Sequence, residues 1–240
     1  MLLQAVEQKG ADFVIFGGQP GKGSDHLRLS VIFPLWLLLR CSDMEVTMKF
    51  DLDQFVSDCR DAIRQDASYK LVREVVARTV SDPRAVLSGL GEPKQGEIKP
   101  LYRSDTLTIL NVIWAPWMTL LPHDHRMWAV IGIYTGREDN IFWRRLDGDR
   151  GVKVEAAGAK ALAERDAVPL GKDVIHSVTN PIPRLTGAIH VYGGDFFGVA
   201  RSEWEAETLL EQRSDGEKMA RRFEEANTLW KLKADATSPP

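Results

Sequence analysis

The chain carries five histidines, and all but His26 fall between His123 and His190. Two of them stand one residue apart in Pro122-His123-Asp124-His125. A β-prone apolar run and a closing Thr135-Gly136 follow them. On an extended strand, residues i and i+2 face the same side with Cβ atoms about 7 Å apart. Two imidazoles so placed reach one metal ion at roughly 2.0–2.2 Å each. Pro122 cannot donate to a ladder, so it marks a strand start or a sheet edge. The spacing therefore predicts that His123 and His125 form half of a metal site on an inward-facing strand. A lone His-x-His also occurs on wet surfaces, so the weight falls on the other histidines. His176 lies in Asp173-Val174-Ile175-His176-Ser177-Val178-Thr179-Asn180, and His190 in Ala188-Ile189-His190-Val191-Tyr192. His176 is either a further ligand or a strand histidine bonded to a carbonyl. His190 and Tyr192 alternate with apolar residues and share a face, either as a pair supporting the metal site or as a satisfied core pair.

The elements that must position these groups are bounded by length and composition. The chain has 240 residues, 44% of them hydrophobic. That suffices for one good-sized domain, or a domain with extensions. The net charge of −3 leaves no electrostatic footprint for nucleic acid. No run reaches the roughly 18–20 apolar residues of a membrane span. Cys41 and Cys59 are too few for a disulfide framework or a zinc ribbon, which fits a reducing, cytoplasmic location.

Residues 1–47 read as a poorly defined N-terminal extension that contributes little to the core. Gly17-Gly18-Gln19-Pro20-Gly21-Lys22-Gly23-Ser24 is superficially a phosphate loop. It fails the pattern, because Phe16 stands where the first glycine belongs and Gly23 where Ser or Thr should follow the lysine. The apolar run at 31–39 is open to three readings: a signal-peptide core, a buried element, or part of an extension preceding a true start at Met44 or Met48.

Residues 48–98 read as helical. Leu52, Phe55, Val56, Cys59 and Ile63 have helical spacing, with Asp51 as N-cap and Cys59 as a core residue. Leu71, Val72, Val75, Val76 and Val80 outline a second helix. Pro83 opens a short third one that ends near Gly89–91. From 99 to 200 the chain fills with short β-branched and aromatic runs. One is 106–114, with both faces partly buried. The metal strand is placed at about 125–134, followed by 140–146, a turn cluster at 147–151 and a restart at 152–154. Many short strands at close intervals predict a sandwich or barrel. Residues 201–233 read as a charged helical segment and 234–240 as a disordered tail.

Pro122-His123-Asp124-His125, Tyr134-x-Gly136 and His176-x-x-x-Asn180 together resemble the two motifs of the cupin superfamily. With His190-Val191-Tyr192-Gly193-Gly194 they are more narrowly similar to the cysteine dioxygenase-type thiol dioxygenases, over about residues 100–195. The resemblance implies a mainly β fold. This is the cupin double-stranded β-helix, a jelly-roll barrel, here with N-terminal helices and a C-terminal helical segment. It implies a mononuclear Fe(II) held by His123, His125 and His176. The glutamate ligand of a typical cupin is missing, since Ala129 and Val130 occupy its place and Glu138 lies beyond the turn. Three neutral ligands leave the ion its full charge, which suits an anionic thiolate beside O₂. His190 and Tyr192 are the implied catalytic pair.

The chain departs from that family at three points. Val130 stands where animal enzymes have a cysteine cross-linked to the tyrosine. Ala188 replaces the serine of a Ser-x-His-x-Tyr relay. The arginine that clamps a substrate carboxylate has no secure match. Ungapped counting reaches Ile98; Arg103 fits with a shorter loop, and Lys99 or Arg126 are substitutes. Without a clamp, free cysteine is expected to be a poor substrate.

The function so implied is Fe(II)-dependent oxidation of a small thiol to its sulfinic acid by O₂. Two alternatives stand beside it. One is another metal-dependent cupin reaction, such as cleavage of a diketone by O₂. The other is a non-catalytic cupin that senses a small ligand. Neither nucleic acid nor membrane is an expected partner.

Overall fold

The computed structural model describes residues 49–146 and 152–237. The phosphate-loop-like stretch, the apolar run at 31–39, the rest of the 1–47 extension and the turn cluster at 147–151 lie outside the described residues.

Three helices come first. Asp51 caps α1 (Leu52–Gln65), its carboxylate accepting the Gln54 N–H at 3.0 Å. α2 (Lys70–Val80) buries Val72, Val75, Val76 and Val80. α3 (Pro83–Leu90) has Pro83 in its first turn, an Asp82 cap and Gly91 at its end. These are the helices that the apolar spacing predicts. Cys59 is buried in this layer, and burial pushes its thiol up to about 12, so it is an inert core residue.

Eleven strands follow among the described residues: β1 (Glu97–Arg103), β2 (Thr108–Trp114), β3 (Thr119–Asp124), β4 (Ala129–Thr135), β5 (Arg137–Leu146), β6 (Lys153–Ala163), β7 (Ala167–Leu170), β8 (Ile175–Thr179), β9 (Thr186–Tyr192), β10 (Ser202–Trp204) and β11 (Glu211–Arg213). One antiparallel sheet has the order β1-β2-β9-β4-β7 and the other β11-β10-β3-β8-β5-β6. From β2 to β5 the chain changes sheet at every turn, and it does so again from β6 to β9. Two facing sheets wound in this way are a double-stranded β-helix, with helices before and after it.

Burial follows from this layering. Every residue of β2 and β9 is buried. Their inner faces contribute Leu110, Val112 and Ala188 to the core between the sheets. Their outer faces contribute Ile109, Ile113, Ile189 and Val191 to a second core under the valines of α2. Each buried valine contributes about 1.5–3 kcal/mol relative to exposure. Gly132 of β4 lets α2 approach: a Cβ there would lie 2.4 Å from a Val76 methyl. Gly136, at φ 88°, makes the β4–β5 turn against Thr186. The helix α4 (Gly216–Thr237) closes one end of the barrel, sinking Met219 and Phe223 into the inner core. Phe223 stacks on Trp114 at 5.6 Å.

Four expectations need correction. The run expected as one metal strand is two strands in different sheets, broken at 125–128, where Arg126 takes φ 57°. The first strand starts at Glu97, just inside the stretch expected as helical. Residues 202–213 are a hairpin rather than helix. Their charges suggest a solvated helix face, but Ser202, Glu203 and Trp204 are all buried. Trp204 packs on Val154 and Ile175, and Glu203 pairs with Lys218. Tertiary packing here overrides helical pattern. Finally, α4 continues through Thr237, past the expected onset of the tail.

Candidate metal centre

His123 lies near the end of β3, directly opposite His176 on β8. His125 follows two residues later, beyond the strand end. The register of β3 against β8 shifts between Leu120 and His123, and the left-handed Arg126 then turns the chain. Bulge and turn together deliver both histidines to the inside. All three are buried, and one ring nitrogen of each lies within 4.8 Å of the others. His125 Nε2 is 3.3 Å from His123 Nε2 and 3.2 Å from His176 Nε2.

The tautomers follow from the outer nitrogens. His123 Nδ1 is 2.9 Å from the Leu121 carbonyl, which only accepts, so Nδ1 carries the proton. His176 Nδ1 is 2.6 Å from Asn140 Oδ1. That amide is oriented by its own N–H₂, which donates to Glu138 Oε1 at 3.0 Å. His176 is therefore also protonated on Nδ1. The Nε2 atoms of His123 and His176 then present lone pairs, and His125 has at most one proton to place between them. Burial holds His123 down to about 4 and pushes His125 and His176 well below the usual histidine range. Three neutral imidazoles with converging lone pairs repel one another unless a cation sits among them. Metal–nitrogen bonds of roughly 2.0–2.1 Å in tetrahedral or octahedral array put neighbouring ligand nitrogens about 2.8–3.4 Å apart, so these residues fit a first-row divalent ion.

Tyr192 and His190, on β9, flank this cluster. The Tyr192 ring lies edge-on to His125 at 5.0 Å, and its hydroxyl is 3.0 Å from His190 Nδ1. Burial pushes the Tyr192 phenol up. The same two side chains and the three histidines line a cavity of ≈ 20 Å³, closed by Ile98, Phe196 and Met219. Those three residues also line a second cavity of ≈ 340 Å³ between β1 and α4, open to the surface. Trp128 lies elsewhere, donating to the Ala67 carbonyl and packing under the N-terminal helices. Asn180 donates to the carbonyls of Trp114, Ala115 and Arg184, tying loops together outside the cavity.

The two arginines expected to meet substrate are not brought to the histidines. Arg103 makes a two-pronged ion pair with Asp195, both contacts at 2.8 Å, and lies over Phe197. Arg126 pairs with Asp124 at 2.6 Å and with Glu211. Neither lines either cavity; Ile98, the ungapped match, is an apolar wall of both. A third arginine, Arg201, does not line the histidine cavity but acts on the histidines electrostatically. Its guanidinium lies 3.7 Å over the Phe196 ring, and its buried Nε has no hydrogen-bond partner among the described residues. It lines the larger cavity, and its charge helps to depress His123 and His125. The sequence signal was slender: the one cation in 193–201, after two phenylalanines.

No protein-family model matches the chain. Among solved structures, it is similar to an RmlC-like cupin with a double-stranded β-helix fold from Methanocaldococcus jannaschii, at 11% identity, 45% of this chain, 88% of that one and TM-score 0.37. A protein with a double-stranded β-helix domain from Klebsiella pneumoniae is 13% identical over 48% of this chain and 85% of that one, with TM-score 0.37. A DMSP lyase from Ruegeria pomeroyi is 17% identical over 45% of this chain and half, 50%, of that one, with TM-score 0.35. Likenesses this distant say nothing of activity; the double-stranded β-helix is read from the strand order, and the capacity for metal from the three converging histidines.

Proposed function

We propose that this protein is an Fe(II)-dependent dioxygenase that places both atoms of O₂ on the sulfur of a small thiol acid, RS⁻ + O₂ → RSO₂⁻. The observation that carries the reading is the convergence of three neutral imidazoles with no carboxylate among them. Such a set leaves a divalent ion's charge uncompensated, and an anionic thiolate is the ligand that best offsets it. When bound there, Fe(II) supplies the redox chemistry that links thiol and O₂.

The chain's own residues do the rest. Arg201, half-buried and with its Nε unmet by any hydrogen-bond partner among the described residues, receives the substrate's anionic end across the Phe196 ring. Tyr192, tied to His190, is the polar group of the cavity wall that orients what lies beside the histidines. Ile98, Phe196 and Met219 keep bulk water out of a space that admits only a few atoms, which favours a small reacting group.

The test is O₂ uptake by iron-loaded protein against thiols with and without a carboxylate, with a diketone as control. The reading expects uptake only with thiol, one O₂ per thiol, and a sulfinic acid as product. Uptake with the diketone and no thiol would replace it by diketone cleavage. Ligand binding with no O₂ uptake would replace it by a sensing role.

A further inference from the structure

Glu138 is a fully buried carboxylate with no Lys or Arg partner among the described residues. Burying a carboxylate is costly unless its oxygens are met by donors. Oε2 accepts from Trp114 Nε1 at 2.8 Å and Oε1 from Asn140 Nδ2 at 3.0 Å. One side of Oε2 also faces His190 Nε2 at 3.6 Å. That nitrogen is buried and has no hydrogen-bond partner among the described residues. Ala188, two residues back on the same face, offers no hydroxyl. At 3.6 Å the pair is just beyond a hydrogen bond, and a shift of a few tenths of an ångström closes it.

Only one neutral form of His190 suits both neighbours. With its proton on Nδ1, Nε2 would aim a lone pair at a buried carboxylate. With its proton on Nε2, the N–H points at Glu138, and Nδ1 accepts the Tyr192 hydroxyl proton. We infer that Glu138 is a positioning residue that fixes His190 as the Nε2–H tautomer, so that Tyr192 donates to His190 and turns its oxygen lone pairs toward the cavity. Tyr192 then meets the substrate as an acceptor rather than a donor. The same carboxylate orients Asn140, and through it His176, so one buried charge sets the ring orientation on both sides of the site.

The importance of this tautomer for turnover rests on the dioxygenase reading, but the tautomer itself does not. The decisive experiment is long-range ¹H–¹⁵N correlation on histidine-labelled protein loaded with diamagnetic Zn(II), with His190 assigned by the loss of its signals in His190→Gln. The expected result is a proton on Nε2 and none on Nδ1. In Glu138→Gln, which keeps shape but loses the charge, the signals should move toward the other tautomer. Iron content should hold, while kcat falls about 10–100-fold with KM little changed. A wild-type ring protonated on Nδ1, alone or together with Nε2, overturns the inference. So do His190 signals that are unchanged in Glu138→Gln, which would reduce Glu138 to a packing partner of Trp114 and Asn140. If Glu138→Gln does not fold, the wild-type spectrum alone decides.

Discussion

Three Nε2 atoms that share at most one proton define what this chain holds, and the residues around them separate holding from turnover. His176→Ala removes one of three ligands, so purified protein should lose most of its iron and its activity together. Tyr192→Phe removes a hydroxyl and no ligand. Iron should stay near one per chain while turnover falls about 10–100-fold. Metal analysis beside activity distinguishes the two, and an equal loss of iron in both would refute the assignment. Arg201→Gln should raise KM for thiol acids about 10–100-fold, the worth of a charge-assisted hydrogen bond, and leave thiols without a carboxylate unaffected. Equal effects on both substrate types would show that Arg201 only packs on Phe196. The histidines and tyrosine were legible because metal and hydrogen-bond chemistry restricts which residue types serve. Arg201 was not, because nothing local distinguishes a half-buried arginine from a solvated one. On the proposed reading, in which Arg201 receives the carboxylate, free cysteine would no longer be expected to be a poor substrate.

At the scale of elements, the three N-terminal helices were legible to within a residue or two, because Asp51, Pro83 and Gly91 punctuate a regular apolar spacing. The break after β3 was not. Its cause is a bulge and one left-handed residue, neither of which disturbs the apolar run that follows. The β10–β11 hairpin was hidden because its buried polar groups, Glu203 among them, are satisfied by partners distant in sequence. Close packing of α2 on β4 yields a prediction at this scale. Gly132→Val would drive its side chain into Val76 and Val80, so it should destabilise the fold by about 2–3 kcal/mol, measured by chemical denaturation. A change within about 0.5 kcal/mol, the range of ordinary surface substitutions, would show that the helix layer gives way freely.

For the molecule as a whole, the site couples fold and pH. His123 is held at about 4 when folded against 6.5 when free, chiefly by burial. Above pH 6.5 the ring is neutral in both states and contributes nothing. As pH falls below 6.5 the unfolded chain takes up a proton that the folded chain refuses, so stability declines until about pH 4. At about pH 5 the loss from His123 alone is about 2 kcal/mol, and His125 and His176 shift in the same direction. Chelator-treated protein should therefore melt at clearly lower temperature at about pH 5 than at about pH 7. A flat melting temperature would mean that the three rings are not buried as neutral bases.

The most direct test of the central claim is to supply ¹⁸O₂ to iron-loaded protein with a small thiol acid and weigh the product. The account predicts a sulfinic acid in which both new oxygens carry the label, in amounts that match the O₂ consumed. A disulfide, or a product with its sulfur unoxidised, would contradict it.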